Sequence, residues 1–184
     1  MGIWNFVLPI RNSELIMAMT LVSTVTVGSG GAASIEFTGI AGTGKDLLVV
    51  MSGRSDAAAN SDIVMANFNG DTASNYTTRY LRGDGSTVAS GTSSTTFLWF
   101  GSIPATNYTA STFGNAALYV SNYASSAAKS VSVDAVPENN AIANAHLYII
   151  AATWTGTSAI TSIKIDPNSG SFAQHSTASL YLVS

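Results

Sequence analysis

The sequence predicts an all-β fold, an antiparallel β-sandwich of jelly-roll-like type with about ten strands. Short apolar or alternating runs recur along most of the chain, and turns rich in Gly, Asn and Asp separate them. Ser and Thr make up roughly a quarter of the residues, whereas charged residues make up only 9%. Thr and Val fit the pleated surface of a strand, so this composition favours sheets over helices. A chain of 184 residues is long enough to enclose the core of such a sandwich.

The predicted strands are separated by recognisable turns. Residues 21–27 alternate apolar and hydroxyl side chains after their first residue and are followed by glycines. Residues 47–51 are all apolar, as expected where both faces of a strand are covered. Residues 63–68 end at Asn69-Gly70-Asp71, a strong turn signal. Residues 86–96, rich in Ser, Thr and Gly, are predicted as a loop. The remaining predicted strands are 35–37, 77–81, 97–100, 116–120, 131–136, 147–154, 160–165 and 180–183.

Residues 1–19 are predicted to form an N-terminal arm, and residues 20–184 a single sandwich domain. The arm is rich in bulky apolar side chains without strand alternation, and Pro9 interrupts any helix there. Large apolar groups outside a domain usually mark a docking surface. The candidate interface residues in this arm are Ile3, Trp4, Phe6, Val7, Leu8 and Ile10.

The charge pattern excludes several classes of partner. The formal net charge is −3, the isoelectric point is near 5.1, and the seven Lys and Arg residues are scattered along the chain. Phosphate binding needs clustered cations, so nucleic acid is not a predicted partner. No apolar segment is long enough to cross a membrane, so a membrane partner is not predicted either. Cysteine is absent, which excludes disulfides and fits folding in a bacterial cytoplasm.

Two short motifs resemble functional loops but favour turns. Residues 39–45 match the phosphate-binding loop of nucleotide-binding proteins, yet Asp46 replaces the Ser or Thr that holds magnesium. This loop also precedes an apolar strand instead of a helix, whose N-terminal amides would bind the phosphate. Arg82-Gly83-Asp84 is the tripeptide that integrins recognise, but the following Gly85 makes it a turn after a strand.

Neither a metal nor a cofactor is predicted. Asn67, Asn69 and Asp71, with Asp62 nearby, offer oxygen atoms. Their spacing lacks the acidic density and the terminal glutamate of a calcium loop. A weak or interface-bound cation stays open as an alternative for these residues.

Groups for catalysis are scarce, so we predict no enzyme and no catalytic residues. The two histidines, His146 and His175, are far apart in the sequence. No nucleophile elbow of the Gly-x-Ser-x-Gly type is present. Glycosidase chemistry needs two carboxylates across a cleft, whereas Asp134 and Glu138 lie at a strand end beside Pro137.

Aromatic side chains could stack on sugar rings and so form a contact surface. Trp99 and Trp154 lie within predicted strands and are expected in the core. Tyr108 and Tyr123 fall in predicted loops and are the candidate surface contacts.

A family resemblance is carried by the segments 45–50 (KDLLVV), 68–71 (FNGD), 76–86 (YTTRYLRGDGS), 113–124 (FGNAALYVSNYA), 129–132 (KSVS), 138–140 (ENN) and 160–182. Over about residues 20–184 the chain resembles virion structural proteins of tailed bacteriophages of aquatic bacteria. The resemblance implies a β-sandwich surface protein of the particle, either a capsid decoration (cement) protein or a distal tail or fibre domain. It brings no defined catalytic or binding residues, and residues 1–17 depart from its pattern.

We therefore expect a non-enzymatic capsid decoration protein that binds the outer capsid surface and stabilises it. Its expected partners are the major capsid protein and copies of itself, with a trimer as the unit. Its expected location is the virion, after synthesis in the host bacterial cytoplasm. The arm favours decoration, because it would bury apolar area on a neighbour at about 25 cal/mol per Å².

The alternative is a tail or fibre-tip adhesin that binds host surface glycans through loops rich in Tyr, Ser and Asn. A carbohydrate-active enzyme and a secreted bacterial adhesin are the remaining alternatives.

Overall fold

The computed structural model describes residues 18–93, 95–140 and 146–184. These residues form twelve strands and no helix, so they contain no helix long and apolar enough to cross a membrane. The all-β prediction is confirmed. The strands are β1 (Met19–Thr26), β2 (Ile35–Thr38), β3 (Asp46–Gly53), β4 (Ser61–Phe68), β5 (Tyr76–Gly83), β6 (Val88–Ser93), β7 (Leu98–Pro104), β8 (Gly114–Val120), β9 (Lys129–Val136), β10 (Leu147–Trp154), β11 (Ser162–Pro167) and β12 (Thr177–Val183).

Most of the predicted arm precedes the first described residue, Ala18. Its candidate interface residues lie outside the described part of the chain; they are Ile3, Trp4, Phe6, Val7, Leu8 and Ile10. The first strand begins at Met19, one residue before the predicted start of the sandwich domain.

The strands form two antiparallel sheets. The large sheet has eight strands in the order β1-β12-β3-β8-β9-β10-β5-β6, and the small sheet has four in the order β2-β11-β4-β7. Side chains alternate between the two faces of each strand. In β3, for example, Leu47, Val49 and Met51 are buried, while the residues between them are partly accessible. The hydrophobic core lies between the two sheets.

Two hairpins, β5–β6 and β9–β10, are inserted into a jelly roll. Without them, the other strands, counted from one to eight along the chain, run 1-8-3-6 in the large sheet and 2-7-4-5 in the small sheet. This is the strand order of a jelly roll, so the predicted jelly-roll-like sandwich is confirmed. The inserted hairpins extend the large sheet beyond β8. They pair with each other through β10 and β5, from Leu147 opposite Gly83 to Trp154 opposite Tyr76.

Strand β7 supports the inserted hairpins from the core side. Its seven residues are all buried, and it packs against β5, β8, β9 and β10 as well as against its sheet neighbour β4. Gly101 lies at a break in the β4–β7 register and has a φ of 103°. A Cβ at this position would overlap the Cβ of Ala135 on β9. The close approach of the two sheets therefore requires a glycine here.

Strand β6 contradicts the predicted loop over residues 86–96. Its sequence, VASGTS, has few apolar side chains and so gives no strand signal. The backbone nevertheless pairs with β5 in unbroken register, from Thr78 opposite Ser93 to Gly83 opposite Val88. Pairing with a neighbouring strand, and not burial of an apolar face, makes this segment a strand.

Replacing Gly101 with Ala should lower the free energy of unfolding by about 3 kcal/mol, because the new Cβ collides with Ala135 and the positive φ is strained. Urea denaturation measures this change. Gly39→Ala is the matched control. Gly39 also has a positive φ, of 66°, but no atom lies within 4 Å of a Cβ built there, so a loss of about 1 kcal/mol is expected. Equal losses in the two variants would contradict the close-approach explanation.

Candidate functional site

The candidate site lies on the outward side of the large sheet. Among the described residues no strand packs against this side, because the small sheet lies on the other. We call this surface the open face and define it by the outward residues of the eight strands of the large sheet. Most of these residues are small, hydroxylated or apolar. The charged side chains at its strand positions are Asp46, Arg79 and Asp134.

Large apolar side chains cluster on the open face of the inserted hairpins. Leu81 and Ile149 stand directly opposite each other on β5 and β10 and are 50% and 59% exposed. Leu147 and Val88 both pair with Gly83, which has no side chain to separate them. Contiguous exposed apolar side chains usually mark an interaction surface. The apolar patch consists of Leu81, Val88, Val136, Leu147 and Ile149.

A groove of about 430 Å³ lies between β10, β5 and β6, next to the patch. Arg79 is its cationic residue, and the guanidinium donates a hydrogen bond to the carbonyl of Thr78 at 3.1 Å. The rest of the lining is mainly aliphatic and hydroxylated, which suits an apolar protein segment better than a charged ligand. The groove side chains on the open face are Arg79, Leu81, Ser90, Thr92, Ile149 and Ala151.

Aromatic side chains support the patch from the core side. The ring of Trp99 on β7 packs edge-on against Tyr80, with 4.6 Å between centroids, and its centroid lies 5.3 Å from that of Tyr148. Tyr80 covers Gly91 of β6, where an added Cβ would lie 2.7 Å from the tyrosine hydroxyl. Burial raises the pKa of Tyr148, so its phenol stays neutral around pH 7. The inserted strands are therefore held by packed rings, and the patch is preorganised.

The sequence contains a signal for this patch that does not by itself identify an exposed surface. Residues 147–150 are apolar without alternation, and we read such runs as strands covered on both faces. In β10, Tyr148 and Ile150 are buried, whereas Leu147 and Ile149 are exposed. An apolar run without alternation is produced both by a strand that is covered on two faces and by a strand with one exposed apolar face. Periodicity does not distinguish these two cases.

The prediction that Tyr108 and Tyr123 are surface contacts is wrong, because they are only 8% and 0% exposed. The Tyr123 hydroxyl accepts a hydrogen bond from the Gly44 N–H at 3.1 Å and donates one to the Ala41 carbonyl. Tyr123 therefore holds the glycine-rich segment 39–45, which is a turn leading into β3, as predicted. Loops that fold back onto the core carry their aromatic side chains inward.

Trp99 and Trp154 are 7% and 2% exposed, which confirms that they belong to the core. The indole N–H of Trp154 donates to Asp71 Oδ2 at 2.7 Å, and the Asn75 amide donates to the same oxygen at 2.9 Å. The backbone N–H of Ala73 donates to Asp71 Oδ1 at 2.9 Å. Both carboxylate oxygens of Asp71 thus accept hydrogen bonds that stabilise the turn before β5. The Trp154 and Asn75 hydrogen bonds hold the pKa of Asp71 below its usual value.

The four oxygen-bearing residues considered for a cation do not form one site. Asp62 accepts a hydrogen bond from the Ser55 hydroxyl at 2.8 Å, and Asn67 donates its amide to the Asp71 carbonyl at 2.8 Å. Asn69 bonds to the backbone around Thr161. Within residues 18–93, 95–140 and 146–184, no three His, Asp or Glu side chains are placed to hold a metal ion together.

The serine–carboxylate pair of Ser55 and Asp62 is enclosed in the protein. The two residues are 0% and 4% exposed, and the serine donates its hydroxyl proton directly to the carboxylate. A substrate could not reach this serine without unfolding of the surrounding chain. The pair therefore joins the start of β4 to the segment after β3, which is a structural role.

Asp84, the acid of the Arg-Gly-Asp tripeptide, closes the β5–β6 turn. Its carboxylate accepts hydrogen bonds from the backbone N–H groups of Ser86 and Thr87 at 2.9 and 2.7 Å. Hydrogen bonds from the Thr87 and Ser86 side chains and backbone lower the pKa of Asp84 well below its usual range. The turn prediction for this segment is confirmed.

Comparison with known proteins finds no matching family model and no matching curated protein. Among solved structures, the chain is similar to an exo-inulinase from Aspergillus awamori, with 14% identity and a TM-score of 0.37. The similarity covers 94% of this chain, which spans 30% of that structure's length. At this TM-score the similarity supports no statement about fold or activity.

Acidification should remove stability that depends on Asp71. Because its folded pKa is lowered, the Asp71 carboxylate stabilises the fold above the unfolded pKa near 3.9 and loses this effect as the pH falls through the folded pKa. The unfolding free energy of Asp71→Asn should therefore change less than that of the wild type between about pH 7 and about pH 3. Ser132→Ala, at an exposed position on β9 with no titratable group, should keep the wild-type difference. An unchanged pH difference in Asp71→Asn would contradict this role.

Proposed function

We propose that this chain is a non-enzymatic structural protein of a bacteriophage particle, a capsid decoration protein that binds the outer shell through the open face. The observation that carries the proposal is the apolar patch on a side of the large sheet that no described strand covers. Soluble monomers rarely expose contiguous apolar side chains on this scale unless a partner binds them. The sequence resemblance supports the phage particle, and the patch supports the mode of attachment.

The patch has the chemistry of a protein-binding surface. Leu81, Leu147 and Ile149 are between 50% and 59% exposed, so covering each would contribute on the order of 1 kcal/mol. Two charged side chains lie beside the patch: Asp134 stands opposite Ile149, and Arg79 lines the adjoining groove. We therefore expect an apolar partner surface with a cation facing Asp134, since a buried carboxylate without a partner is costly.

The glycan-binding alternative has less support. It relied on Tyr108 and Tyr123, and buried rings cannot stack on a sugar. The patch itself is aliphatic, whereas sugar-binding surfaces use exposed aromatic faces. Binding of the isolated protein to host glycans would favour the adhesin again.

Ile149→Asp and Leu81→Asp should each weaken binding to particles that lack this protein by at least about tenfold, because each places a charge in an apolar contact. Binding is measured by cosedimentation with purified particles. Thr38→Asp is the matched control, since Thr38 is exposed on β2 of the small sheet and lies outside the open face. Equal binding of all variants would contradict attachment through the open face. A count of only a handful of copies per particle would contradict decoration.

Deleting residues 1–17 should weaken particle binding while leaving the unfolding free energy almost unchanged. The first described strand begins at Met19, so the shortened chain keeps all twelve described strands. Particle binding and urea denaturation are measured on the same preparation. Failure of the shortened chain to fold would show that the segment belongs to the core, and would contradict its prediction as an attachment arm.

A further inference from the structure

The described strands leave four sheet edges, and three of them are protected against pairing with another chain. The β1 edge has a register break between Leu21 and Ser23. The β2 edge is only four residues long and carries Glu36. The β7 edge is fully buried and ends at Pro104. Irregular, short, charged or covered edges resist edge-to-edge association.

The fourth edge, β6, has none of these features. Its six residues include no charge and no proline, and its register with β5 is unbroken. Within residues 18–93, 95–140 and 146–184, β5 is its one strand partner. A regular and uncharged edge of this kind is a template for another strand.

The hydrogen bonds at both ends of the β5–β6 pair identify the groups that β6 leaves free. The Asp84 N–H donates to the Thr87 carbonyl at 3.3 Å, and the Tyr76 N–H donates to the Thr95 carbonyl at 2.9 Å. In an antiparallel ladder, hydrogen-bonded residues alternate with residues whose backbone groups point the other way. Ala89, Gly91 and Ser93 therefore bond to β5, and the backbone groups at the free edge are those of Val88, Ser90 and Thr92.

We propose that β6 pairs with β6 of a second copy of this chain, as an antiparallel two-fold dimer centred on Ser90. With Ser90 opposite Ser90, Val88 of each copy stands opposite Thr92 of the other. All three free residues are then paired, forming about six inter-chain hydrogen bonds. If the two-fold axis passed through Ala89 or Gly91 instead of Ser90, some of the free backbone groups of Val88, Ser90 and Thr92 would have no partner. The free edge is thus complementary to itself.

The open face continues across this dimer. The side chains of Val88, Ser90 and Thr92 are all exposed, and that of Val88 is 80% exposed and belongs to the apolar patch. Pairing places Thr92 of the other copy beside Val88 and brings the two patches onto one continuous sheet. No charge within β6 opposes the approach of a second β6. A two-fold contact differs from the trimer expected from the sequence. This inference goes beyond the proposed function and does not depend on what the open face binds.

The size of the contact sets its expected strength. Main-chain hydrogen bonds give affinity to an added strand, but six residues cover less than the roughly 800 Å² per partner of a standard interface. We therefore expect a dissociation constant on the order of micromolar, so that dilution separates the copies.

Sedimentation of the full chain across micromolar to submillimolar concentrations tests the proposal. The wild type should shift from monomer mass to twice that mass. Thr92→Lys should stay a monomer, because it places a charge opposite Val88 of the other copy. Ser52→Lys, with the same charge change five strands away in the large sheet, should dimerise like the wild type. A monomer at every concentration, a trimer, or dimers of equal strength in both variants would each overturn the proposal.

Chemical cross-linking provides a second test that does not depend on the lysine variant folding. The chain contains no cysteine, so Ser90→Cys introduces a single thiol. Side chains directly opposite each other in an antiparallel pair have Cβ atoms about 5 Å apart, within reach of a short bis-maleimide. Ser90→Cys should form covalent dimers at micromolar concentration, and Ser52→Cys should not. Equal cross-linking of the two variants would overturn the two-fold β6 contact.

Discussion

The extension of the large sheet beyond β8 depends on the contact between this sheet and β7. A jelly roll pairs four strands with four, but here the large sheet continues through four more strands that have no counterparts in the small sheet. β7 covers the inner side of three of them, β9, β10 and β5, because Gly101 allows it to approach Ala135, and Trp99 fills the space between Tyr80 and Tyr148. Two hairpins paired only through their backbones would be marginally stable in water.

This support on one side explains why the other side can serve an interaction. The inner side chains of β5, β9 and β10 obtain their burial from β7, so the outer side chains are not needed for the core. Leu81 and Ile149 are exposed on this outer side, although burial of an aliphatic side chain would stabilise the folded protein. The same hairpins carry the free edge of β6. The inserted hairpins therefore carry two separate surfaces. The open face is suited to a partner protein, and the β6 edge is suited to a second copy of this chain.

Some features of the fold could be read from residue patterns, and others could not. The strand at 47–51 was predicted correctly from its apolar run, but the expectation that both of its faces are covered is wrong, because Leu48 and Val50 on the open face stay partly accessible. β6 was not predicted because its side chains show no strand pattern. Its backbone forms a strand by pairing with β5. The position of Tyr108 was also missed. Arg54 draws the loop before β8 inward by donating to the carbonyls of Ala105 and Thr109, a contact between segments far apart in sequence.

The sequence by itself determined the all-β class, most strand positions, the turns at Asn69-Gly70 and Asp84-Gly85, and the burial of Trp99 and Trp154. These features follow from local propensity and from alternation along one strand. Only the tertiary structure decided which apolar residues stay uncovered. Leu147 and Ile149 have the same chemistry as Ile150, and their exposure depends on β7 lying under one side of β10 with no described strand over the other. That assignment is made by long-range strand order, which periodicity does not encode.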